Sequence, residues 1–245
     1  MAAGREPPPA EAAADRKRRQ WAEFGGAEAY ERRIGRFALE TDGEAVLALW
    51  RRAGAVAPPV LDLPCGAGRM SELLRAESGR PPVAADYSLR MLGVARRRLG
   101  GGAVRCDAFR TPFAAASFGA VLSLRLVFHY ADLAGLREEV HRLLRPGGVW
   151  IFDSLNRGSL RHLIEGLARG FRRGRAGLHF TDSRTVATDL GSGGFEVEAT
   201  LGRYLLPTRL YRFLPAPLTR VLDVTARQVP EERRVLTYWL ARKSR

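Results

Sequence analysis

The stretch Val60-Leu-Asp-Leu-Pro-Cys-Gly-Ala-Gly-Arg69 decides the fold class of this 245-residue chain. An apolar run contains the acid Asp62, and the chain then turns through Gly66 and Gly68 into a helical pattern that begins at Arg69. Glycine suits such a strand-to-helix turn because the backbone can approach a ligand closely where a Cβ atom would block it. By itself a Gly-x-Gly turn is a weak signal, and a tight turn without a ligand is the alternative interpretation.

Strand and helix patterns alternate after this turn. Short apolar runs predict five strands, over Val60–Leu63, Val83–Asp86, Ala103–Cys106, Phe118–Leu124 and Val149–Phe152. Amphipathic patterns between them predict helices, of which Ser88 and Asp132 are expected to cap two, and Arg145-Pro-Gly-Gly148 is expected to end the second of these. Apolar strands that alternate with helices are typical of a parallel sheet covered on both faces, so the predicted fold class is α/β, doubly wound.

The two ends of the chain have different patterns. Residues 1–20 are rich in proline, alanine and charge without periodicity, and they are expected to form a flexible tail. Two helices are predicted next, over Trp21–Ala38 and Thr41–Ala53, the second with a capping box of Thr41 and Glu44. The remaining patterns predict an arginine-rich helix at 159–173, strands over Phe195–Ala199 and Arg234–Ala241, and a helix over Leu218–Val229 with Leu218, Val221, Leu222 and Val229 facing inward.

Composition restricts the class of protein. With 46% hydrophobic and 27% charged residues the chain can bury a full core, and its length fits one large domain, two being the alternative. Arginine supplies 38 of the 40 basic residues, and the formal net charge is +14. This positive excess leaves three kinds of partner open, namely nucleic acid, an anionic membrane surface and an acidic small substrate.

Cysteine usage and the absence of long apolar stretches bear on compartment and metal content. Cys65 and Cys106 cannot form a disulfide framework, and this suits a reducing cytoplasm. No apolar stretch approaches the ~18 residues of a membrane span, and the N-terminus lacks the apolar segment of a secretory signal. A cytoplasmic protein is therefore expected. No metal site is predicted, because the chain has neither a Cys-x-x-Cys pair nor paired histidines.

Three carboxylates, Asp62, Asp86 and Asp107, are expected at successive strand ends on one edge of the sheet. Each alone can be a turn or helix cap, but three in register indicate a ligand site. Asp86 follows Gly66 by 20 residues, the spacing at which an acid accepts both hydroxyl hydrogens of a ribose diol.

The charge of these acids discriminates between ligands. A dinucleotide carries a pyrophosphate that Asp62 would repel, whereas S-adenosylmethionine has no phosphate and offers an ammonium, a ribose diol and an adenine amine. Asp62 suits the ammonium, Asp86 the diol, and Asp107 with the backbone of Ala108 the adenine. A NAD(P)-dependent Rossmann oxidoreductase stays an alternative, because Gly66-x-Gly68-x-x-Ser71 nearly matches the dinucleotide fingerprint.

An ordered set of motifs resembles the class I S-adenosylmethionine-dependent methyltransferases, and within them the small-molecule branch called methyltransferase type 11. The motifs are Leu61-Asp-Leu-Pro-Cys-Gly-Ala-Gly68, Ala85-Asp-Tyr-Ser-Leu-Arg-Met-Leu92, Cys106-Asp-Ala108, Phe113–Leu126 and Leu144-Arg-Pro-Gly-Gly148. The resemblance covers Val60–Asp153. It implies a methyltransferase domain over residues 21–245 with a cofactor-binding core at about 55–153. Pro64 departs from the family, which has its first loop glycine there; proline fixes φ at about −65° and has no N–H.

The resemblance also implies an architecture and a cofactor. The sheet should be mostly parallel and seven-stranded, with Arg234–Ala241 as an antiparallel strand inserted beside Phe195–Ala199, and the upstream helices should form an N-terminal lid. The cofactor should be S-adenosyl-L-methionine. Its expected ligands are Asp62, Pro64, Cys65, Gly66, Gly68, Asp86, Tyr87, Asp107, Ala108, Leu124 and Arg125 in the core, with Tyr30 and Arg33 in the lid. For Tyr30, packing in the core is the alternative.

Methyl transfer requires the enzyme to align an acceptor with an electrophilic methyl group and to exclude water, and a base is needed only where the acceptor must lose a proton. His129, after the fourth strand, is the best base candidate by residue type, because the ordinary pKa of imidazole suits proton abstraction at neutral pH. A hydrogen-bonded structural histidine is the alternative. Arg125 and Tyr130 lie at the same predicted edge, as do Asp153 and Asn156 at the end of the fifth strand.

The acceptor is predicted to be a small organic molecule. The arginines of helix 159–173 fit an anionic acceptor or a peripheral contact with an anionic membrane, and they also fit a solvated surface face. A lipid-like quinone or isoprenoid ranks second and RNA third, because no RNA-binding module is recognised. A non-catalytic cofactor-binding or nucleic-acid adaptor is the remaining class.

Overall fold

The structure of the protein is a computed structural model that describes residues 35–162 and 178–244. The helices are α1 (Arg36–Ala53), α2 (Arg69–Ser78), α3 (Leu89–Leu99), α4 (Ala134–Leu143), α5 (Ser183–Ser192) and α6 (Ala216–Gln228). The strands are β1 (Val60–Asp62), β2 (Val83–Asp86), β3 (Ala103–Arg105), β4 (Phe118–Ser123), β5 (Leu144–Asn156), β6 (Phe180–Thr181), β7 (Phe195–Arg203) and β8 (Leu236–Lys243). The predicted tail and most of helix 159–173 lie outside the described residues, so the predicted domain division stays a prediction.

One sheet organises the chain, with strand order β3-β2-β1-β4-β5-β8-β7. The first five strands pair in parallel, and β8 is antiparallel to both β5 and β7. This confirms the predicted α/β class and the inserted antiparallel strand. The two-residue β6, which pairs with β5, is an eighth strand that was not predicted. The strand order reverses direction between β1 and β4, and ligands bind at such a switch point in open α/β sheets.

Apolar side chains cover both faces of this sheet, as the doubly wound prediction requires. Along β5 the side chains alternate, so that Val149 and Ile151 enter one core cluster while Trp150 and Phe152 enter the other. Helix α1 buries Ala45, Val46 and Leu49 in the first cluster, and α4 buries Leu136, Val140 and Leu143 in the second. Each helix uses positions three or four residues apart, the spacing of one helical face.

The predicted start of the helix before β1 was wrong. Thr41 does not cap it, because α1 begins five residues earlier, after Gly35, and has no side-chain cap. Thr41 and Asp42 are instead buried inside the helix. A capping box predicts a helix start only where the polar side chains bond to the first-turn N–H groups, and here the Asp42 carboxylate bonds to partners in other elements.

The inward face predicted for the last helix was wrong at two of its four residues, Leu218 and Val221, whereas Leu222 and Val229 are half-buried. The buried residues of α6 are Thr219 and Ala226, with Leu222 half-buried, whereas Leu218 and Val221 are exposed. Apolar spacing shows that a helix has an apolar stripe, but contacts decide which stripe faces the core. Helix α6 packs on β7, which forms one edge of the sheet.

One of the two predicted caps is present in the structure. The Ser88 hydroxyl, at the N-cap of α3, accepts a hydrogen bond from the Met91 N–H. The predicted cap at Asp132 was wrong by one residue: Leu133 is the N-cap of α4, and the Asp132 carboxylate before it accepts a hydrogen bond from the Ala134 N–H. These side chains bond within three residues of themselves, and such local contacts can be read from sequence.

Candidate functional site

A cleft opens beyond the carboxyl ends of β1, β2 and β4, where the strand order reverses. It brings together the predicted site residues Asp62, Pro64, Cys65, Gly66, Asp86, Tyr87, Asp107, Ala108, Leu124, Arg125 and His129. Gly68 is not among its lining residues. Tyr30 and Arg33, the predicted lid ligands, lie outside the described residues. The parallel strands assemble the site because their carboxyl ends meet at one edge.

The two glycines of the first turn have different surroundings. Gly66 has φ +52°, and a Cβ atom added there would meet nothing within 4 Å, so the turn leaves open space at this position. Gly68 has φ +81°, and an added Cβ would lie 3.2 Å from the Ala95 Cα atom of α3. Gly68 therefore allows α2 and α3 to approach each other, a packing role rather than a lining one.

Asp86 ties the glycine turn to the start of α3. One carboxylate oxygen accepts the Gly66 N–H at 2.8 Å, and the other accepts the Ser88 N–H at 2.8 Å. Burial raises the pKa of Asp86, and these two N–H donors act in the opposite direction. Each carboxylate oxygen carries two lone pairs, so Asp86 keeps acceptor capacity for a hydroxyl-bearing ligand.

Asp62 is the most deeply buried acid of the cleft. Its side chain accepts a hydrogen bond from the Ser71 hydroxyl at 2.6 Å, and the residue is only 1% exposed. Burial raises the pKa of Asp62 to about 7, with a further contribution from the negative charge of Asp86. A cationic ligand group beside Asp62 would favour its ionised form.

Asp107 completes the acidic edge after β3. Its carboxylate accepts the Phe109 N–H at 3.0 Å and so shapes the turn in which Ala108 lies. Asp107, Ala108 and Cys106 all line the cleft. The expected row of three strand-end carboxylates is therefore present on one edge.

A buried charge network borders the cleft beyond β4. Arg125 has φ +59°, and its N–H donates to the Asp153 carboxylate at 2.7 Å. Its guanidinium donates to both oxygens of Asp42 in α1, at 2.8 and 2.7 Å. Burial lowers the pKa of Arg125, but the facing anionic groups, Asp42 first, raise it well above its usual value.

Asp42 accepts hydrogen bonds from side chains in distant parts of the sequence. Besides Arg125, it accepts hydrogen bonds from the hydroxyl of Tyr204 at 3.0 Å and from that of Tyr238. Burial, and then the Asp42 charge, raise the pKa of both tyrosines well above the usual range, so both hydroxyls act as donors. Sequence reasoning missed Asp42. The available signal was its position, because Asp42 lies three and four residues before the buried Ala45 and Val46 and so falls on the inward face of α1.

Asp153 and Asn156 support the site without lining it. Asp153 is fully buried, and burial raises its pKa to about 7 while Arg125 opposes the shift. The Asn156 amide donates to the carbonyls of Glu231 and Arg234 and contacts Thr237. Both side chains therefore hold elements together rather than face an acceptor.

Arg69 is a further lining residue that sequence reasoning did not single out. Its guanidinium donates to the Leu39 carbonyl at 2.7 Å and lies 3.7 Å from Asp42. Leu39 and Arg69 thus bring α1 and the glycine turn together at the cleft. Its place directly after the Gly-x-Gly turn could have indicated that Arg69 lies at the cleft.

His129 lies in the short 3-10 helix that follows β4, and it lines the cleft. Its ring packs against Phe128 with centroids 4.9 Å apart. Tyr130 beside it also lines the cleft and meets Phe109 edge to face at 4.7 Å. The structure therefore places an imidazole at the cleft, and its catalytic role stays a prediction.

The cysteines are free and buried, and burial raises the pKa of Cys106 to about 12. Burial raises the pKa of Cys65 as well, so both thiols stay protonated at neutral pH.

Within residues 35–162 and 178–244 no group of three or more His, Cys, Asp or Glu could hold a metal ion. In the same part of the chain no helix is long and apolar enough to cross a membrane.

Comparison with known proteins identifies the segment that forms this cleft. Residues 61–152 match the family model described as a methyltransferase domain. The chain is 33% identical over 170 residues to the malonyl-[acyl-carrier protein] O-methyltransferase of Serratia marcescens, covering 65% of each protein. It is 31% identical over 120 residues to the methyltransferase GfsG of Streptomyces halstedii, covering 46% of this chain and 43% of the relative. The chain therefore spans less than two thirds of the length of these relatives.

A solved structure resembles almost the whole fold. The geranyl diphosphate C-methyltransferase of Streptomyces coelicolor superimposes with a TM-score of 0.64, covering 97% of this chain and 100% of that protein, at 16% identity. That protein was solved with Mg2+, a geranyl diphosphate analogue and S-adenosyl-L-homocysteine. At this identity the likeness concerns the fold.

Proposed function

We propose that the chain is a class I S-adenosylmethionine-dependent methyltransferase, which transfers the methyl group of S-adenosyl-L-methionine to an oxygen, nitrogen or carbon atom of a small organic acceptor. The observation that carries the proposal is the acidic edge, on which Asp62, Asp86 and Asp107 line one cleft beside the open Gly66 turn. The family match and the strand order support the same reaction class.

The donor set of the cleft fits this cofactor. Asp62, buried and held by Ser71, would accept from the cationic ammonium, and Asp86 has lone pairs left for the ribose hydroxyls. Asp107 and the Ala108 backbone would meet the adenine. A pyrophosphate would instead meet the buried carboxylate of Asp62 at the first strand end, which with Asp107 argues against the oxidoreductase alternative.

The bound cofactor supplies an electrophilic methyl group, so the chain mainly has to position the acceptor and keep water out. Leu124, Leu126 and Met70 provide apolar lining for that purpose. His129 would accept a proton from an acceptor that must lose one as the methyl group is transferred. Asp153 and Asp42 would hold the Arg125 segment, and thus the approach to His129, in place.

The acceptor itself belongs to the proposal. The relative from Serratia marcescens is named for malonyl-[acyl-carrier protein], a substrate that carries an anionic group. The net charge of +14 and the arginines of residues 159–173 favour an anionic small molecule, with a lipid-like quinone or isoprenoid second and RNA third. Arg69 and Arg125 at the cleft are already engaged by the Leu39 carbonyl and by Asp42. Peripheral contact with an anionic membrane through helix 159–173 and a cytoplasmic location remain parts of this proposal, the latter supported by two free cysteines.

Calorimetric titration with S-adenosyl-L-homocysteine tests the proposal directly. The wild-type chain should bind it, and Asp86→Ala should weaken binding by at least about ten-fold, because the variant removes both the diol acceptor and the anchor of the Gly66 turn. Glu77→Ala is the matched control, since Glu77 is an acid on α2 that pairs with Arg51 away from the cleft, and it should bind as the wild type does.

Two results would overturn the proposal. One is a folded wild-type chain, checked by its thermal unfolding transition, that binds no S-adenosyl-L-homocysteine. The other is tight binding of NADH, which would favour the oxidoreductase. Incubation with labelled S-adenosyl-L-methionine and a cell extract, followed by isolation of the labelled product, would then identify the acceptor.

A further inference from the structure

Helix α6 presents an apolar face to solvent. Leu218, Val221 and Val224 recur every three residues and are 44%, 60% and 56% exposed. The opposite side of the helix carries the buried residues Thr219 and Ala226. We call Leu218, Val221 and Val224 the α6 face. Three exposed aliphatic residues on one side of one helix form a continuous apolar stripe, and such a stripe is typical of a surface that contacts another molecule or a membrane.

The segment before α6 adds an exposed aromatic side chain to this apolar surface. Phe213 lies three residues before α6 begins and is 69% exposed, more than any other exposed large hydrophobic side chain of the described residues. The Arg212 guanidinium lies over its ring, 4.4 Å from the centroid. An aromatic ring beside an arginine suits a boundary between water and a less polar phase.

Positive charge accompanies this face. Residues 208–228 contain four arginines and one aspartate. Arg220 and Arg227 lie along one margin of the α6 face by helical spacing, and both are exposed. The one acid, Asp223, is already paired with Arg227 at 2.7 Å. An exposed apolar stripe with an arginine margin is therefore the surface pattern of this segment.

We propose that the α6 face, with Phe213, docks onto an anionic lipid bilayer. The aliphatic residues would enter the interface while Arg212 and Arg220 meet the lipid phosphates, the arrangement of interfacial amphipathic helices. A second copy of the chain is a poorer occupant. Two such faces brought together would set arginine against arginine, whereas the bilayer supplies the opposite charge.

The docking surface is connected to the cleft through α1. Tyr211, in the 3-10 helix that contains Phe213, stacks on Phe37 of α1 with centroids 5.0 Å apart. Leu39, two residues further along α1, lines the cleft. Docking here would therefore hold the cleft near the lipid surface. The inference rests on the exposed face and its charges, and it does not depend on the proposed reaction.

Flotation of the full chain with lipid vesicles tests this inference. Vesicles of phosphatidylcholine alone are compared with vesicles that also contain phosphatidylglycerol. The wild-type chain should float with the anionic vesicles and partition at least about ten-fold less onto neutral ones, and added salt should release it. Val221→Asp should lower partitioning by about ten-fold, because a carboxylate would have to enter the interface.

Leu89→Asp is the matched control. Leu89 is 56% exposed at the first position of α3, where an acid is compatible with a helix N-terminus, so the variant should fold and float as the wild type does. Thermal unfolding of both variants checks that they are folded.

Three outcomes would overturn the inference. The wild-type chain could fail to float with any vesicle, or Val221→Asp and Leu89→Asp could lose the same amount of binding. Alternatively, sedimentation could show a wild-type dimer that Val221→Asp dissociates, without vesicle binding, and the occupant would then be a second copy. A chain that binds S-adenosyl-L-homocysteine but no vesicle would refute this inference and leave the proposed function standing.

Discussion

The carboxylates of the cleft are the same chemical group, but they differ in their hydrogen-bond donors and in their burial. Asp86 accepts hydrogen bonds from the backbone N–H groups of Gly66 and Ser88, whereas Asp62, in a fully buried position, accepts one from the Ser71 hydroxyl. A carboxylate with N–H donors is stabilised as an anion, whereas burial alone favours the neutral acid. Asp62 therefore has a pKa near 7, and its charge responds to a bound cation.

This raised pKa predicts the effect of Asp62→Asn on stability against pH. The folded-state pKa of about 7 exceeds the unfolded value of 3.8, so the folded protein binds the proton more tightly. The wild-type free energy of unfolding should consequently fall as pH rises between those two values, by up to about 1.4 kcal/mol for each unit of pKa difference. Asparagine cannot ionise, so the variant should lack this component.

Urea unfolding of both proteins at about pH 5 and about pH 8 measures the difference. The wild type should lose stability relative to the variant on going to the higher pH. Parallel pH profiles would show that Asp62 keeps an ordinary pKa. Under the proposed function the ammonium of S-adenosyl-L-homocysteine would lie beside Asp62. This ligand should therefore reduce the loss of wild-type stability, relative to the variant, at about pH 8.

At the scale of elements, the glycine turn shows how one motif serves two purposes. Gly66 opens space at the cleft, while Gly68 brings α2 against α3. Both functions need a missing Cβ atom and a positive φ, so the sequence motif is the same for both. The pattern predicted the turn, and only the position of α3 distinguishes the two glycines.

Substitution by alanine should separate conformational strain from steric clash. Gly68→Ala adds a Cβ atom 3.2 Å from the α3 backbone in a left-handed conformation, and should cost about 2 kcal/mol or more. Gly79→Ala, at the C-terminal end of α2 with φ +70° and nothing within 4 Å, should cost only the strain of about 1 kcal/mol. Chemical denaturation of the two variants gives the comparison.

Equal losses in the two variants would show that α3 yields to the extra methyl group without cost. Gly66→Ala, which also has open space, extends the test to ligand binding. It should lose stability as Gly79→Ala does, and it should in addition weaken binding of S-adenosyl-L-homocysteine under the proposed function.

At the scale of the whole molecule, the Asp42 network joins the first described helix to the last strand. Asp42 in α1 bonds to Arg125 after β4, to Tyr204 after β7 and to Tyr238 in β8, partners that are 83, 162 and 196 residues away. Breaking a buried pair by removing one partner leaves an uncompensated charge and typically costs about 3–5 kcal/mol. The network thus makes α1 part of the same cooperative unit as the sheet.

A double-mutant cycle tests this coupling. Asp42→Asn and Arg125→Met should each reduce the free energy of unfolding by about 3 kcal/mol or more, and the double variant should cost clearly less than the sum. Glu40→Ala on the same helix is the control, because its pair with Arg36 is exposed, and it should leave stability unchanged. Additive losses in the cycle would show that the two side chains act independently.

Local patterns determined much of this protein. The apolar strand runs, the Gly-x-Gly turn, the cap at Ser88 and the strand-end acids all depend on neighbours a few residues away, so the sequence by itself determined the α/β class and the edge where the cleft lies. Eleven predicted site residues consequently line one cleft.

The tertiary structure alone decided the rest. It placed Asp42 inside the molecule rather than near a helix start, assigned Gly68 to helix packing, and turned Leu218 and Val221 outward. A buried charge is tolerated only where distant donors converge on it, and a helix turns toward the core whichever face its neighbours contact. Those partners lie many tens of residues away in the chain, beyond the reach of any local periodicity.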